Sequence, residues 1–100
     1  MIELVFTGIL KEDSMLVERE GKQELCFDVD VQRYKKQADG RIFNYHITIH
    51  CVKHGTCTAD KRFVKGQKIY IRGDISPRVI SERGEMKAEI WSNVWQFELM

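Results

Sequence analysis

The sequence has 100 residues, of which 43% are hydrophobic and 31% charged. This length predicts one domain spanning residues 1–100, with the composition of an ordinary globular protein. No apolar run approaches the roughly 18 residues that cross a bilayer, so no membrane association is expected. The N-terminus lacks the basic and apolar stretches of a signal peptide, and three cysteines favour free thiols, so the expected location is cytoplasmic.

Charge is unevenly distributed along the chain. Residues 1–32 hold 3 basic and 8 acidic side chains, a net charge of −5, whereas residues 33–100 hold 13 basic and 7 acidic, a net charge of +6. This asymmetry indicates a polyanionic partner for the second part of the chain. A mixed, solvated surface is the alternative, because the whole-chain pI of 7.7 lies below the value of about 9 found in strongly basic nucleic-acid domains.

The first half of the chain predicts three strands. Residues 2–10 form the first strand, and after a polar turn residues 15–18 either continue it or form a hairpin arm. Residues 25–31 alternate apolar and polar side chains, which is the clearest strand pattern in the sequence. Residues 33–41 are predicted to be a long, mobile polar loop, and residues 43–51 alternate again, so the second and third strands form a hairpin.

The second half predicts a helix and two more strands. Alternation stops between residues 52 and 67, which indicates a short helix within residues 55–65. A fourth strand follows at residues 69–73, then a turn-rich arm between Pro77 and Gly84, and a last strand at residues 86–99. Five strands with a short helix between strands 3 and 4 predict an all-β OB-fold barrel.

Several segments resemble bacterial single-stranded DNA-binding proteins. They are residues 6–10 (FTGIL), the two alternating strands around a charged loop, and above all residues 64–75 (VKGQKIYIRGDI). The resemblance spans nearly the whole chain. It implies sequence-independent binding of single-stranded DNA in replication, recombination or repair, without a cofactor. It also implies a homodimer or homotetramer formed through the N-terminal strand.

Two departures from that family broaden the functional hypotheses. The sequence ends at Phe97-Glu98-Leu99-Met100, where family members usually carry a long tail, and residues 78–81 lack an aromatic that the family often places there. The chain is therefore also similar to the tailless primosomal replication protein N family. This second resemblance implies an adaptor in primosome-type or plasmid replication that mainly contacts replication proteins and binds DNA weakly. An RNA-binding or purely structural OB domain is the third hypothesis.

Single-strand binding requires aromatic surfaces for stacking and a cationic track for phosphates. Basic and aromatic residues are interleaved around the predicted second hairpin. These candidates are Arg33, Tyr34, Lys35, Lys36, Arg41, Phe43 and Tyr45. For Phe43 and Tyr45 the alternative is a position in the core, because they share a face with Ile47 and Ile49.

A second group of candidates lies on strand four and the arm that follows it. The members are Tyr70, Arg72, Arg78, Arg83 and Lys87, and ordinary solvated charge is the alternative for each basic residue. Trp91 and Trp95 either bind a base or serve packing or a subunit interface. Asp28 and Asp30 are expected to point outward and to repel phosphates.

The histidines and the remaining polar residues predict neither a metal site nor an enzyme. His46, His50 and His54 recur every four residues, but on a strand that interval spans about 13 Å at roughly 3.3 Å per residue. Neighbouring histidines would thus be too far apart to share one zinc ion. No nucleophile motif, phosphate loop or paired-carboxylate site is present in the sequence.

Overall fold

The computed structural model describes residues 2–55 and 63–100, which form one closed β-sheet. The strands are β1 (Glu3–Leu10), β2 (Met15–Arg19), β3 (Lys22–Lys36), β4 (Ile42–His54), β5 (Lys68–Asp74), β6 (Ser76–Glu82) and β7 (Glu85–Leu99). The order in the sheet is β1-β5-β7-β4-β3-β2, and β1 also pairs with β3. That last pairing closes β1, β3, β4, β7 and β5 into a barrel. The predicted five-stranded OB-type barrel is confirmed.

The two remaining strands are hairpin arms attached to the barrel. β2 runs antiparallel to the start of β3, so residues 15–18 form the hairpin arm that was one of two expectations. β6 pairs with the first part of β7 in the same way, from Ser76 opposite Trp91 to Glu82 opposite Glu85. The polar sequence between Pro77 and Gly84 is therefore mostly strand.

The short helix predicted within residues 55–65 falls mainly on residues 56–62, which lie outside the described residues. The parts of that range that are described, Gly55 and residues 63–65, are a bend and the approach to a turn. Within residues 2–55 and 63–100 there is no helix, and hence none long and apolar enough to cross a bilayer.

The core is built from the inward-facing row of each barrel strand. Alternation on β3 buries Leu25, Phe27, Val29 and Val31, while the residues between them face outward. The same alternation operates on the neighbouring strands. The buried cluster comprises Leu10, Leu25, Phe27, Val29, Val31, Ile49, Cys51, Phe63, Ile69, Ile71 and Val94.

Phe63 closes one end of the barrel. Its ring is 1% exposed and packs edge-on against Phe27 at 5.1 Å and Phe97 at 4.9 Å between centroids. The Phe63 amide donates to Ser14 Oγ at 3.0 Å, and the Ser14 amide donates to the Phe63 carbonyl oxygen at 2.9 Å. The Gly66 amide also donates to the Leu10 carbonyl oxygen, and the Leu10 amide donates to the Gln67 carbonyl oxygen, both at 2.9 Å. These bonds attach the segment before β5 to the end of β1 and to the turn that follows it.

A glycine allows β5 and β7 to approach closely at a barrel corner. The register between these strands shifts between Arg72 and Gly73, which is a β-bulge. A Cβ atom on Gly73 would lie 2.6 Å from Ser92 Oγ and closer still to the Asn93 carbonyl oxygen. Asp74, the next residue, accepts hydrogen bonds from the Asn93 backbone amide and side-chain amide at 2.7 and 3.0 Å. The corner therefore requires glycine for steric reasons.

We expect Gly73→Ala to lower the free energy of unfolding by about 3 kcal/mol, the upper part of the range for overpacking. The clash is with backbone, so adding Ser92→Ala should not restore stability. Ser92→Ala alone should be neutral or stabilising, because the Ser92 hydroxyl is buried without a hydrogen-bond partner among the described residues. Urea denaturation of the three variants measures this, and wild-type stability for Gly73→Ala would contradict it.

Candidate nucleic-acid interface

The hairpin of β3 and β4 extends beyond the barrel. The strands pair without interruption from Glu24 opposite His54 to Lys36 opposite Ile42, whereas burial on β3 ends at Val31. The expectation of a long loop over residues 33–41 is therefore wrong, and the turn is confined to residues 37–41. Those residues are held by the Gln37 amide, which donates to the Arg41 carbonyl oxygen at 2.8 Å. A polar strand continues here because its backbone pairs with β4 even where no core remains to be covered.

One face of this extension carries two cations and two aromatic rings. Arg33 lies directly opposite Tyr45, and Lys35 lies opposite Phe43. The Phe43 and Tyr45 rings are 6.3 Å apart with an angle of 21° between their planes, a stacked arrangement. We name these four residues the hairpin platform. Its aromatic faces and positive charges adjoin, as binding of an unpaired polynucleotide requires.

The platform continues the row that forms the core. Side chains alternate on a strand, so Phe43 and Tyr45 share the row of Ile47 and Ile49, as the sequence indicated. They lie further out than the core, however, and Phe43 is 55% exposed. Phe43 and Tyr45 thus lie in the row that forms the core, as one of the two alternatives predicts, but beyond the part of that row that is buried. Their contact with nucleic acid stays a prediction.

The other predicted hairpin residues lie on the opposite face or in the turn. Tyr34 and Lys36 alternate with Arg33 and Lys35, so they face away from the platform, and Tyr34 is 72% exposed. Arg41 lies in the turn, where it forms an ion pair with Asp39 at 3.2 Å. The structure therefore divides the predicted cluster between two faces.

The β6–β7 hairpin carries three of the predicted basic residues, Arg78, Arg83 and Lys87, together with acidic residues. Lys87 lies 4.0 Å from Glu82, and Arg78 lies opposite Glu89. Arg83 is in the tight turn that joins the strands, with a positive φ of 52°. This hairpin carries three basic and three acidic side chains, since Glu85 is also present. Its phosphate attraction is consequently weaker than that of the platform.

Tyr70 and Arg72 lie on a different part of the barrel. They face outward from β5, where Tyr70 is opposite Thr7 and Arg72 is opposite Val5 on β1. Arg72 also forms an ion pair with Glu3. The structure does not bring these two residues to either hairpin.

Histidine–carboxylate pairs cover the outer face of β3 and β4. His50 Nδ1 lies 2.7 Å from Asp28 Oδ1, and His46 Nδ1 lies 3.0 Å from Asp30 Oδ2. His54 Nδ1 lies 3.6 Å from Glu24 Oε1. Sequence reasoning missed these pairs, although Asp28 and His50 are directly opposite once the hairpin register is known. Asp28 and Asp30 do point outward, but each is hydrogen-bonded to a histidine. The described residues contain no group of three or more potential metal ligands.

Three solved structures share this fold over the length of the chain. The small single-stranded DNA-binding protein from Streptomyces coelicolor matches with a TM-score of 0.81 and 8% identity over 99% of this chain and 94% of its own. A deletion mutant of the single-stranded DNA binding protein from Thermus aquaticus matches with a TM-score of 0.79 and 17% identity over 100% and 50%. The Plasmodium falciparum SSB in complex with ssDNA matches with a TM-score of 0.78 and 12% identity over 100% and 93%. No family model and no curated protein sequence matches the chain.

The two described cysteines lie in environments that disfavour the thiolate. Burial raises the pKa of the Cys51 thiol, with a further contribution from Asp28. Burial also raises the pKa of Cys26, and the neighbouring Glu24 carboxylate adds to the effect. The thiolate is the nucleophilic form of cysteine, so neither group is activated at neutral pH.

We expect the reaction of Cys26 with a thiol reagent to begin at higher pH in the folded protein than in the unfolded chain. A raised pKa keeps the thiol protonated as pH increases, until the pH reaches the folded-state value. The measurement is the modification rate against pH in Cys51→Ala/Cys57→Ser, in which Cys26 is the sole remaining cysteine of the sequence, compared with the same variant in denaturant. Coincident pH profiles for the folded and unfolded chain would contradict the stated environment of Cys26.

Proposed function

We propose that the protein binds single-stranded DNA without sequence preference, using the hairpin platform as its main contact. The observation that carries this proposal is the exposed stacked pair of Phe43 and Tyr45, with Arg33 and Lys35 directly opposite them. Unpaired bases present faces on which any aromatic ring can stack, which makes such binding tolerant of sequence. The adjoining guanidinium and ammonium groups neutralise phosphates.

Fold and chemistry support the proposal independently. The outer strands and hairpins of OB barrels are the usual binding surface for oligonucleotides. One protein with this fold, the SSB of Plasmodium falciparum, has been solved in complex with ssDNA. On this proposal the protein is a binding module for single-stranded DNA and not an enzyme. It would act in DNA replication, recombination or repair.

We expect Arg33→Ala/Lys35→Ala to reduce the salt dependence of oligothymidylate binding. Each lost phosphate contact should lower the slope of log affinity against log salt by about 0.7, so the double variant should lose about 1.4. Fluorescence anisotropy of a labelled oligonucleotide at several salt concentrations gives the slope. The matched control is Arg19→Ala/Lys22→Ala, which removes the same charges from the β2–β3 hairpin. Lys22 lies about 40 Å along β3 from the platform at roughly 3.3 Å per residue.

The aromatic half of the platform should respond differently. Phe43→Ala/Tyr45→Ala is expected to weaken binding by about ten-fold or more with an unchanged salt slope, because stacking of one base contributes about 1–3 kcal/mol. Duplex DNA, whose bases already stack on one another, should bind much more weakly than a single strand. Equal affinity for duplex and single strand, or no salt dependence, would favour the replication adaptor instead.

We also propose that the protein self-associates through β1. β1 pairs with β5 from Glu3 to Ile9 but with β3 only at Ile9 and Leu10, which leaves its other edge open over residues 3–8. A small cleft of about 160 Å³ lies beside this edge, with Leu4, Phe6 and Val31 in its lining. An open, apolar strand edge is a template for pairing with another strand. A second copy of β1 is the occupant proposed here.

The outer face of β1 supports the same assembly. Val5 and Ile9 are 51% and 50% exposed on this face, beside Tyr70 and Arg72 of β5. Pairing of two β1 strands would join two such faces into one surface. That surface would allow a dimer of dimers, and it gives Tyr70 and Arg72 a role in assembly rather than in the DNA contact predicted for them.

We expect Val5→Lys/Ile9→Lys to abolish the dimer of dimers and to leave the dimer formed through the β1 edges, because charges buried between the outer faces would oppose their association. Light scattering across a range of concentrations measures the mass. Val79→Lys, at another exposed apolar position, on the β6–β7 hairpin, is the control that should leave the mass unchanged. A wild-type mass equal to one chain at every concentration would contradict self-association.

A further inference from the structure

The Trp91 indole lies between side chains from the two strands that flank β7. On the β4 side the His50 ring stacks on it, with 4.9 Å between centroids and an angle of 28° between planes. On the β6 side the Arg78 guanidinium lies 4.2 Å from the centroid of the ring. This cluster is on the outer surface of the barrel, and it contains no residue of the hairpin platform.

The β4 side of this cluster is held by hydrogen bonds. His50 Nδ1 lies 2.7 Å from Asp28 Oδ1, and His50 Nε2 lies 3.5 Å from Glu89 Oε2. Trp91 Nε1 donates to Glu89 Oε1 at 3.0 Å. Histidine and indole are therefore fixed together. The two carboxylates are also engaged, which lessens their repulsion of a nearby phosphate.

On the β6 side, the contact of Arg78 with the indole is a cation–π contact. Arg78 is opposite Glu89 in the ladder, but Glu89 is directed to His50 and Trp91. Among the described residues, no carboxylate is within ion-pair distance of Arg78. An exposed cation–π contact is weaker than the stacking of a nucleic-acid base on an aromatic ring. A base can therefore displace Arg78 from the indole.

We infer that Trp91 is a second nucleotide-binding site, which Arg78 covers in the free protein. The base of one nucleotide replaces the guanidinium on the indole, and the guanidinium turns to the phosphate of that nucleotide. His50 is a positioning residue that holds the indole by stacking on it and by sharing the Glu89 carboxylate with it. This inference rests on the proposed binding of single-stranded DNA, and it adds a contact on the barrel wall to the platform on the hairpin.

The decisive experiment uses Trp95→Phe, which leaves Trp91 as the sole tryptophan of the two in the sequence. A labelled oligothymidylate is titrated while anisotropy reports total binding and indole emission reports Trp91. We expect quenching of the indole in step with the anisotropy change. Binding without a change in Trp91 emission would overturn the second site and leave the proposed function intact. A flat anisotropy curve would instead contradict the proposed function itself.

Two further sets of variants test the roles of the Trp91 indole and of the Arg78 guanidinium that contacts it. Trp91→Phe should retain most of the affinity, whereas Trp91→Leu should lose about ten-fold, within the range for stacking of one base.

In the Trp95→Phe background, Arg78→Ala should expose the indole to acrylamide before DNA is added, and should lower the salt slope by about 0.7. Arg19→Ala is the matched control, for which neither change is expected. Acrylamide quenching that is the same for Arg78→Ala and Arg19→Ala would overturn the covering role of Arg78.

Discussion

The architecture depends on the short contact at which β1 closes the barrel against β3. Only Ile9 and Leu10 of β1 pair with β3, and Gly8 precedes them. A Cβ atom on Gly8 would lie 2.5 Å from Val29 Cγ1 and 2.6 Å from the Asp30 carbonyl oxygen, so the two backbones meet only because this residue has no side chain. Before that point β1 diverges from β3. The close approach at Gly8 therefore completes the barrel around the core. It also leaves residues 3–8 of β1 with the open edge that is proposed for self-association.

One geometric rule, the alternation of side chains along a strand, gives the β3–β4 hairpin two different surfaces. Inside the barrel the inward row is Val29, Val31 and their neighbours, which build the core. Beyond the barrel the same row becomes basic and aromatic, and it forms the platform. A binding surface on paired strands is more rigid than one on a loop, so less conformational entropy is lost when a ligand binds.

Much of the fold could be predicted because it depends on local patterns. The alternation of residues 25–31 and 43–51 predicts the central hairpin. The glycines that interrupt the sequence pattern indicate where the other strands end. The polar extension at Arg33–Lys36 was missed as strand, since a strand that covers no core shows no apolar alternation. The cluster of Arg78, His50 and Trp91 could not be predicted as a unit. It depends on the register of three strands, of which β4 is distant in sequence from β6 and β7. The DNA contact of Tyr70 and Arg72 stays a prediction. Their position beside β1 could not be predicted from local sequence, because it depends on which distant strand pairs with β5.

The pairing of β4 with β7 has a consequence for how the chain reaches this structure. β4 and β7 run parallel, with Ile49 beside Ile90 and Val52 beside Asn93, and parallel neighbours cannot be joined by a tight turn. The three antiparallel hairpins are local and can form within microseconds. The barrel, however, closes only after these distant segments meet, which carries a large loop-closure entropy. Folding should therefore be limited by assembly of preformed hairpins, on the millisecond-to-second scale typical of β-barrels. Until then, the edges of β1 and β4 remain exposed to other copies of the chain.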